Sequence, residues 1–344
     1  MEFRDVIERN AQLNIPVHWW TRYAFHYTDI DNAVSILASG QLFSRTEATE
    51  RHVMSNDNAS RQVIDMTGSD ITSKARFYFR PLTPTQYHNE GYKHPVLRYH
   101  GDQCANVPVP VFLVFDLEKL LSLPGVEFSE KSLAGHGDRL FSGAEAFEQL
   151  DFERIYSNGP MQDPATDTKY RHAEIVHPSP FGIDSCLKYI LCRNMLERTT
   201  LLNMLKRKGW QTFAQYQDLV KCPKREVFQQ NGLYLQSCDV HENIMKIAFA
   251  FSGAAAQYIA TQKKKNNVTS PLDPITAKVC AEWSLQGICV HQASALFEVD
   301  AEDPRNKTIS LPVVQADSIC VSVFFDGHQM CLVDQPIHDV TPLF

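Results

Sequence analysis

The sequence predicts an α+β fold: a mixed β-sheet core with long polar loops, then a helical segment and a small C-terminal β-rich region. Three observations carry this. Residues 24–190 alternate strand-like runs, short helices and polar loops. From 186 to 262 apolar residues recur at helical spacing, as in Leu187, Ile190 and Leu191 and again in Leu201, Leu202 and Leu205. Beyond 275 the runs 309–314, 318–325 and 329–333 read as strands, with Asp326-Gly327 as a hairpin turn between the last two. The chain therefore divides into a domain at 1–190, a helical extension at 191–262, a Lys-, Asn- and Pro-containing linker at 263–274, and an α/β extension at 275–344.

The elements follow in order. Residues 1–24 form a helix, a turn led by Pro16 and an aromatic cluster at Trp19-Trp20. Residues 24–28 make a short strand. Thr28 or Asp31 caps the helix over 32–39, where Ala33, Ile36 and Leu37 share a face. Gly40 ends that helix and Leu42-Phe43 resumes a strand. Residues 44–74 are polar, and so long a loop in a compact domain is usually functional or disordered. Residues 75–80 are a strand stopped by Pro81 and Pro84. The run 109–116 is nearly all apolar and hence buried on both faces; a short helix follows at 117–123. A loop at 129–144 centres on Gly135-His136-Gly137. Residues 146–155 read as a helix or turn-strand piece, 157–169 as turns, and 171–177 as a strand closed by Pro178. The apolar run 247–256 reads as a buried helix, and a further helix opens the segment from 275.

Composition removes several classes of function. With 344 residues, 44% hydrophobic and 21% charged, the chain has the make-up of a globular protein. A net charge of −7 argues against a generic DNA-coating protein but allows a local basic groove. The nine cysteines form no CxxC pair, which points to reduced thiols in a cytoplasmic protein rather than a disulfide framework or zinc ribbon. The N-terminus has no apolar core of a signal peptide, and no apolar run approaches the ~18 residues of a membrane span. There is no GxGxxG after a strand, no GxxxxGK[ST] and no GxSxG. His88, His94 and His100 recur every six residues, a spacing that fits neither a helix nor a common zinc site, so no metal is expected.

Single residues leave their roles open. Glu174, flanked by Ala173, Ile175 and Val176, either faces solvent or points into a cleft. His26 between Phe25 and Tyr27 is either packed or catalytic. Arg61 in a polar loop is a solvated charge or a ligand, and His136 between two glycines is a turn or a contact. The basic runs 206–208 and 263–265 are helix ends or linkers that can also meet phosphate.

Taken together these segments resemble one family. Phe25-His26-Tyr27-Thr28-Asp29-Ile30-Asp31-Asn32, followed by Ser39-Gly40-Gln41-Leu42, resembles the opening motif of the DarT-type nucleic-acid ADP-ribosyltransferases. Arg61 matches that family's NAD-clamping arginine. The segment 77–84 resembles its Tyr-Phe-x-Pro-Arg strand, with Arg80-Pro81-Leu82 in place of Pro-Arg and Thr85 in place of Met. Gly135-His136-Gly137 falls where the family carries an Asp-Gly-His loop, and Leu150-Asp151-Phe152 resembles its Leu-Asp-Trp segment. His172-Ala173-Glu174 occupies the place of its Gln-Ala-Glu. The resemblance covers residues 22–190, in order.

The resemblance implies an ADP-ribosyltransferase-like core that splits NAD and uses no metal. Glu174 is then the catalytic carboxylate. His26, Thr28, Asn32, Arg61 and Tyr78 hold NAD; His136, Lys169, Arg171 and His172 face the acceptor. The acceptor is a base in single-stranded DNA, with RNA as the other nucleic acid. A base-modifying enzyme of this kind is a growth-inhibiting or anti-phage toxin with a neutralising antitoxin protein. Two other readings stand beside it: transfer to protein, because His172 sits at the acceptor-choosing position, and a non-enzymatic binding module, because 191–344 matches nothing.

Overall fold

The computed structural model describes residues 2–57, 65, 67–98, 102, 105–134, 139–224 and 227–337. Among the described residues, nine strands precede residue 222: β1 (Tyr23–Asp29), β2 (Gln41–Leu42), β3 (Lys74–Tyr78), β4 (Pro110–Asp116), β5 (Glu127–Phe128), β6 (Glu174–Pro178), β7 (Phe181–Gly182), β8 (Leu187–Cys192) and β9 (Val220–Lys221). Seven of them form one sheet in the order β5-β6-β3-β1-β4-β8-β9. All neighbours are antiparallel except β8 and β9, so the sheet is mixed, as expected. β2 and β7 pair separately.

The sheet is built around β4, whose residues from Pro110 to Phe115 are all buried, which is the outcome of an apolar run with no alternation. β1 pairs with β4 along its whole length, from Tyr23 opposite Asp116 to Asp29 opposite Pro110. β3 alternates instead: Ala75 and Phe77 are buried, while Lys74, Arg76 and Tyr78 lie on the other face. Phe77 meets Phe115 and Phe181 edge-on, each at 5.1 Å between ring centres. This aromatic packing fixes one face of β3 in the core and leaves the opposite face to line a cleft.

The helix expected at 32–39 runs over Ile30–Ser39, and its cap is Asp29, not Thr28 or Asp31. The Asp29 side chain accepts from the Asp31 amide at 3.1 Å. Thr28 is still within β1 and buried, so its backbone belongs to the sheet ladder and not to a helix start. Gly40 takes φ 67, the left-handed conformation that ends a helix at low cost for glycine. The polar stretch 44–74 includes the helices Arg45–Glu50 and Ser69–Thr72.

The C-terminal part departs most from expectation. The helices Met195–Lys208, Trp210–Tyr216 and Gly253–Lys265 are present. Between them, however, β10 (Tyr234–His241) and β11 (Ile244–Ala250) form an antiparallel hairpin. The run 247–256 is therefore the end of a strand and the start of a helix capped by Ser252, not one buried helix. Its periodicity shows why: Met245 and Ile247 are buried while Ile244 and Lys246 are exposed, a period of two. The linker expected at 263–274 begins inside the helix Gly253–Lys265, and Lys263 and the Leu272 amide both bind the Glu302 carboxylate at 2.8 Å.

The helix expected after 275 is instead a long hairpin of β12 (Ile275–Leu285) and β13 (Ile288–Val299). β14 (Lys307–Ser310) joins β11, while β15 (Ser318–Phe325) and β16 (His328–Pro336) complete a four-stranded sheet, β13-β12-β15-β16. The turn between β15 and β16 is the expected Asp326-Gly327, with φ 47 and 83, the geometry of a type I′ hairpin.

Charged groups weld the two parts together. Glu90, fully buried, accepts from the Gln229 and Gln230 amides at 2.7 and 2.8 Å and from the Gln86 side chain at 2.6 Å. Arg193 donates to Glu197 through Nε at 3.0 Å and lies 3.8 Å from Glu90, with both side chains of the Arg193–Glu197 pair almost sealed from water. On the next turns of that helix, Thr200 and Asn203 bind the main chain of Leu332 in β16. Removing one partner of such a pair strands the other charge in the interior. Glu197→Ala is expected to cost about 3–5 kcal/mol of stability, read from the denaturant midpoint; a loss below about 1 kcal/mol would show that Arg193 finds other compensation.

Candidate active site

The cleft above the free face of β3 gathers six of the ten residues singled out in the sequence: His26, Thr28, Asn32, Tyr78, His172 and Glu174. β1 supplies His26 and Thr28, β3 supplies Tyr78, and β6 supplies Glu174. Arg61 and His136 lie outside the described residues. Lys169 and Arg171 do not line the cleft. Lys169 is exposed. Arg171 is buried against the 157–159 turn, donating to the Gly159 carbonyl at 2.6 Å and Ser157 Oγ at 3.2 Å. Arg171 precedes β6 and follows the helix Pro164–Tyr170, where the chain turns into the sheet, so its side chain braces that turn.

Glu174 opens β6 directly opposite Tyr78 on β3. Its backbone is held by Ser129, whose amide donates to the Glu174 carbonyl at 2.8 Å and whose Oγ accepts the Glu174 amide at 3.2 Å. The residue is 1% exposed, so the carboxylate faces inward and the solvent-facing alternative is excluded. Its charge is met by Arg76: Nε and Nη2 both reach Oε2, at 2.7 and 2.5 Å. The Leu133 amide donates to Oε1 at 3.1 Å. Burial lowers the Arg76 pKa, but the Glu174 charge outweighs it and the net shift is upward, so the guanidinium stays charged.

The neighbouring groups are held neutral. His26 Nδ1 sits 3.0 Å from the Arg76 carbonyl, so Nδ1 carries the proton and the ring donates. Burial lowers its pKa to about 4. His172 Nε2 accepts from the Thr85 amide at 3.1 Å and lies 2.9 Å from Thr85 Oγ1. Its Nδ1 then donates to the Thr168 carbonyl at 3.1 Å. Both ring nitrogens are occupied, and burial brings this pKa also to about 4. The Tyr78 hydroxyl is pushed up to about 12 by burial and by the Glu174 charge. Its ring lies 6.4 Å from that of His172. The cleft thus offers one buried, ion-paired carboxylate beside the neutral side chains of His26, Tyr78 and His172, with the paired charges of Arg45, Asp57 and Lys74 also in its lining.

The opposite wall is made by the helices Ile30–Ser39 and Arg45–Glu50 and the 53–57 loop. Asn32 holds it together, accepting from the Ser55 and Asn56 amides at 2.8 and 3.3 Å and donating to the Asn56 carbonyl at 2.6 Å. Arg45, on the same wall, pairs with Asp57. The cleft residues that sequence reasoning passed over are Arg76 and Arg45, together with Ser129 and the Leu133 amide behind Glu174. Arg76 had a usable signal: in Lys74-Ala75-Arg76-Phe77-Tyr78 it shares the polar face with Tyr78. Arg80 had none; its guanidinium turns into the interior, donating to the Pro81 carbonyl at 2.9 Å and Asn158 Oδ1 at 3.0 Å.

Among the described residues no three His, Cys, Asp or Glu side chains gather as a metal site. No helix among them is long and apolar enough to cross a membrane.

Residues 25–218 match the family model described as ssDNA thymidine ADP-ribosyltransferase, DarT. No curated protein matches. Among solved structures, the chain is similar to Thermus sp. 2.9 DarT in complex with ADP-ribosylated ssDNA, at 18% identity and TM-score 0.48, covering 60% of this chain and 96% of that one. The same protein in complex with NAD+ gives 19% identity and TM-score 0.46, covering 60% and 97%. Thermosipho africanus DarTG in complex with ADP-ribose gives 14% identity and TM-score 0.42, covering 55% and 48%.

The two histidines set a pH dependence of stability. Each has a folded pKa near 4, below the ordinary 6.5 that the unfolded chain restores. The unfolded chain therefore binds protons first on acidification. The stability is complete above pH 6.5 and is lost as pH falls from there toward 4. His172→Gln is expected to flatten this slope in denaturant titrations at stepped pH; an unchanged slope would show that His172 does not titrate on unfolding.

Proposed function

Because this chain belongs to the DarT family of ssDNA thymidine ADP-ribosyltransferases, we propose that its cleft binds NAD and transfers ADP-ribose to a base of single-stranded DNA. The observation that carries this reading is the buried Glu174 carboxylate, ion-paired and hydrogen-bonded at the floor of a cleft lined by His26 and Tyr78.

Splitting NAD breaks the bond between the ribose C1′ and nicotinamide, and the electron pair leaves with nicotinamide. Positive charge develops on the ribose, as in glycoside hydrolysis. A fixed carboxylate beside the 2′-hydroxyl stabilises that charge because it is already held in place and does not have to reorganise. The acceptor base nitrogen then bonds to C1′, and its proton passes to Glu174 as general base. Arg61 holds the pyrophosphate through its planar guanidinium, a role that rests on its place in the family motif. His26 and Thr28 bond the nicotinamide-side ribose or amide, and Tyr78 packs beside the nicotinamide ring. Asn32 acts through the wall it pins, since its amide is spent on Ser55 and Asn56. The acceptor role of His136 rests on its place in the family motif, and His172 shapes that side by its bulk, since Thr85 and Thr168 occupy its nitrogens. The acceptor base must leave any stack for its edge to be reached, which favours a single strand.

The catalytic unit on this reading runs from the N-terminus through β9, and residues 227–337 form an extension that buttresses it. The protein acts in the cytoplasm as a toxin, with an antitoxin protein as its partner. Glu174→Ala is expected to lower transfer from labelled NAD to thymidine-containing single-stranded DNA by at least about 100-fold. Nucleoside mass spectrometry with DNA and RNA offered side by side reads the acceptor. Equal transfer by the variant would remove Glu174 from catalysis, and modified ribonucleosides alone would move the substrate to RNA.

A further inference from the structure

Accounting for the lone pairs of Glu174 shows what Arg76 does. A carboxylate offers about four acceptor positions, two on each oxygen. Arg76 Nε and Nη2 both converge on Oε2, at 2.7 and 2.5 Å, and fill that oxygen. The Leu133 amide takes one position on Oε1 at 3.1 Å. Among the described residues no other donor reaches the carboxylate, so one acceptor position is left, on Oε1. The carboxylate cannot rotate to offer Oε2 without breaking two charge-assisted bonds in a site that is 1% exposed.

A purely structural role would seal Arg76 away as the counter-ion of a buried acid. Its side chain instead keeps 23% exposure and lines the cleft. Its carbonyl also orients the His26 ring through Nδ1 at 3.0 Å. One residue thus sets the orientation of two groups on the same cleft, from a strand whose other face is locked by Phe77.

We propose that Arg76 is the positioning residue of the site, fixing Glu174 so that the open acceptor position on Oε1 faces the bound sugar, where it meets a sugar hydroxyl during cleavage and then takes the proton of the acceptor. This inference rests on the reading of the cleft as an NAD-cleaving site. The guanidinium sits on the far oxygen, so the oxygen nearest the sugar keeps its acceptor capacity while the acid stays ionised. Lysine in its place keeps the charge but loses the planar fork; glutamine loses the charge as well.

The test is steady-state nicotinamide release and transfer to single-stranded DNA by the full chain, its Arg76→Lys form and its Arg76→Gln form, with NAD affinity measured by calorimetry. Arg76→Gln is expected to lose on the order of 100-fold in kcat, the scale of a misplaced catalytic group. Its KM and Kd for NAD should stay within about threefold, the signature of an interaction made in the transition state and not in the ground state. Arg76→Lys should recover part of the loss. If Arg76→Gln does not fold, Arg76→Lys decides alone, with a loss of about tenfold in kcat at unchanged KM expected. Unchanged kcat in the variants, a raised KM with kcat intact, or equal loss in Lys and Gln forms would overturn the proposal. A wild-type chain that never cleaves NAD would instead sink the functional reading, and this inference with it.

Discussion

A carboxylate buried to 1% exposure has to be matched by charge and hydrogen bonds, and the matching of Glu174 organises the whole cleft. Its partners come from three directions. Arg76 reaches it diagonally from β3, Leu133 supplies an amide from the loop after β5, and Ser129 clasps its backbone. Each depends on register. β3 pairs with β6 so that Tyr78 lies opposite Glu174, and the aromatic packing of Phe77 with Phe115 and Phe181 prevents β3 from slipping. A slip of one residue would turn Arg76 and Tyr78 into the core and expose Phe77. The cleft lining and the hydrophobic core are thus two faces of one strand.

What could be read from the sequence followed from local physics. An unbroken apolar run predicts the doubly buried β4, Gly40 ends a helix because only glycine is at ease there, and Asp326-Gly327 makes a hairpin. The orientation of Glu174 could not be read in this way. Its neighbours Ala173, Ile175 and Val176 are all buried, so the strand has no polar face to betray which way the acid points. Its ion-pair partner is 98 residues away, and no spacing rule spans that distance. Only the family motif, with His26 and Tyr78 in order ahead of it, singled it out. The β10–β11 hairpin was hidden differently: apolar residues at mixed spacing satisfy a helical search even where burial alternates by two.

The structure also redistributes roles among residues that a motif groups together. Asn32 and His172 line the cleft, yet both spend their polar atoms on the protein. They act as fixed surfaces. Arg171, next to His172 and three residues before Glu174, faces away because the turn before β6 needs its donors. Beyond the cleft, Glu90 binds the Gln229 and Gln230 amides ahead of β10, and Thr200 and Asn203 of the helix Met195–Lys208 bind the main chain of Leu332 in β16. The extension is in this sense part of the scaffold behind the cleft.

The central claim is that Glu174, held by Arg76, is the group that meets the reacting sugar. A crystal structure of the full chain with a carbocyclic NAD analogue tests it most directly. The nicotinamide-side sugar is expected within hydrogen-bonding distance of Glu174 Oε1, with both Arg76 bonds to Oε2 intact. A dinucleotide bound in the cleft with its sugar elsewhere, or with Arg76 withdrawn from Glu174, would contradict it.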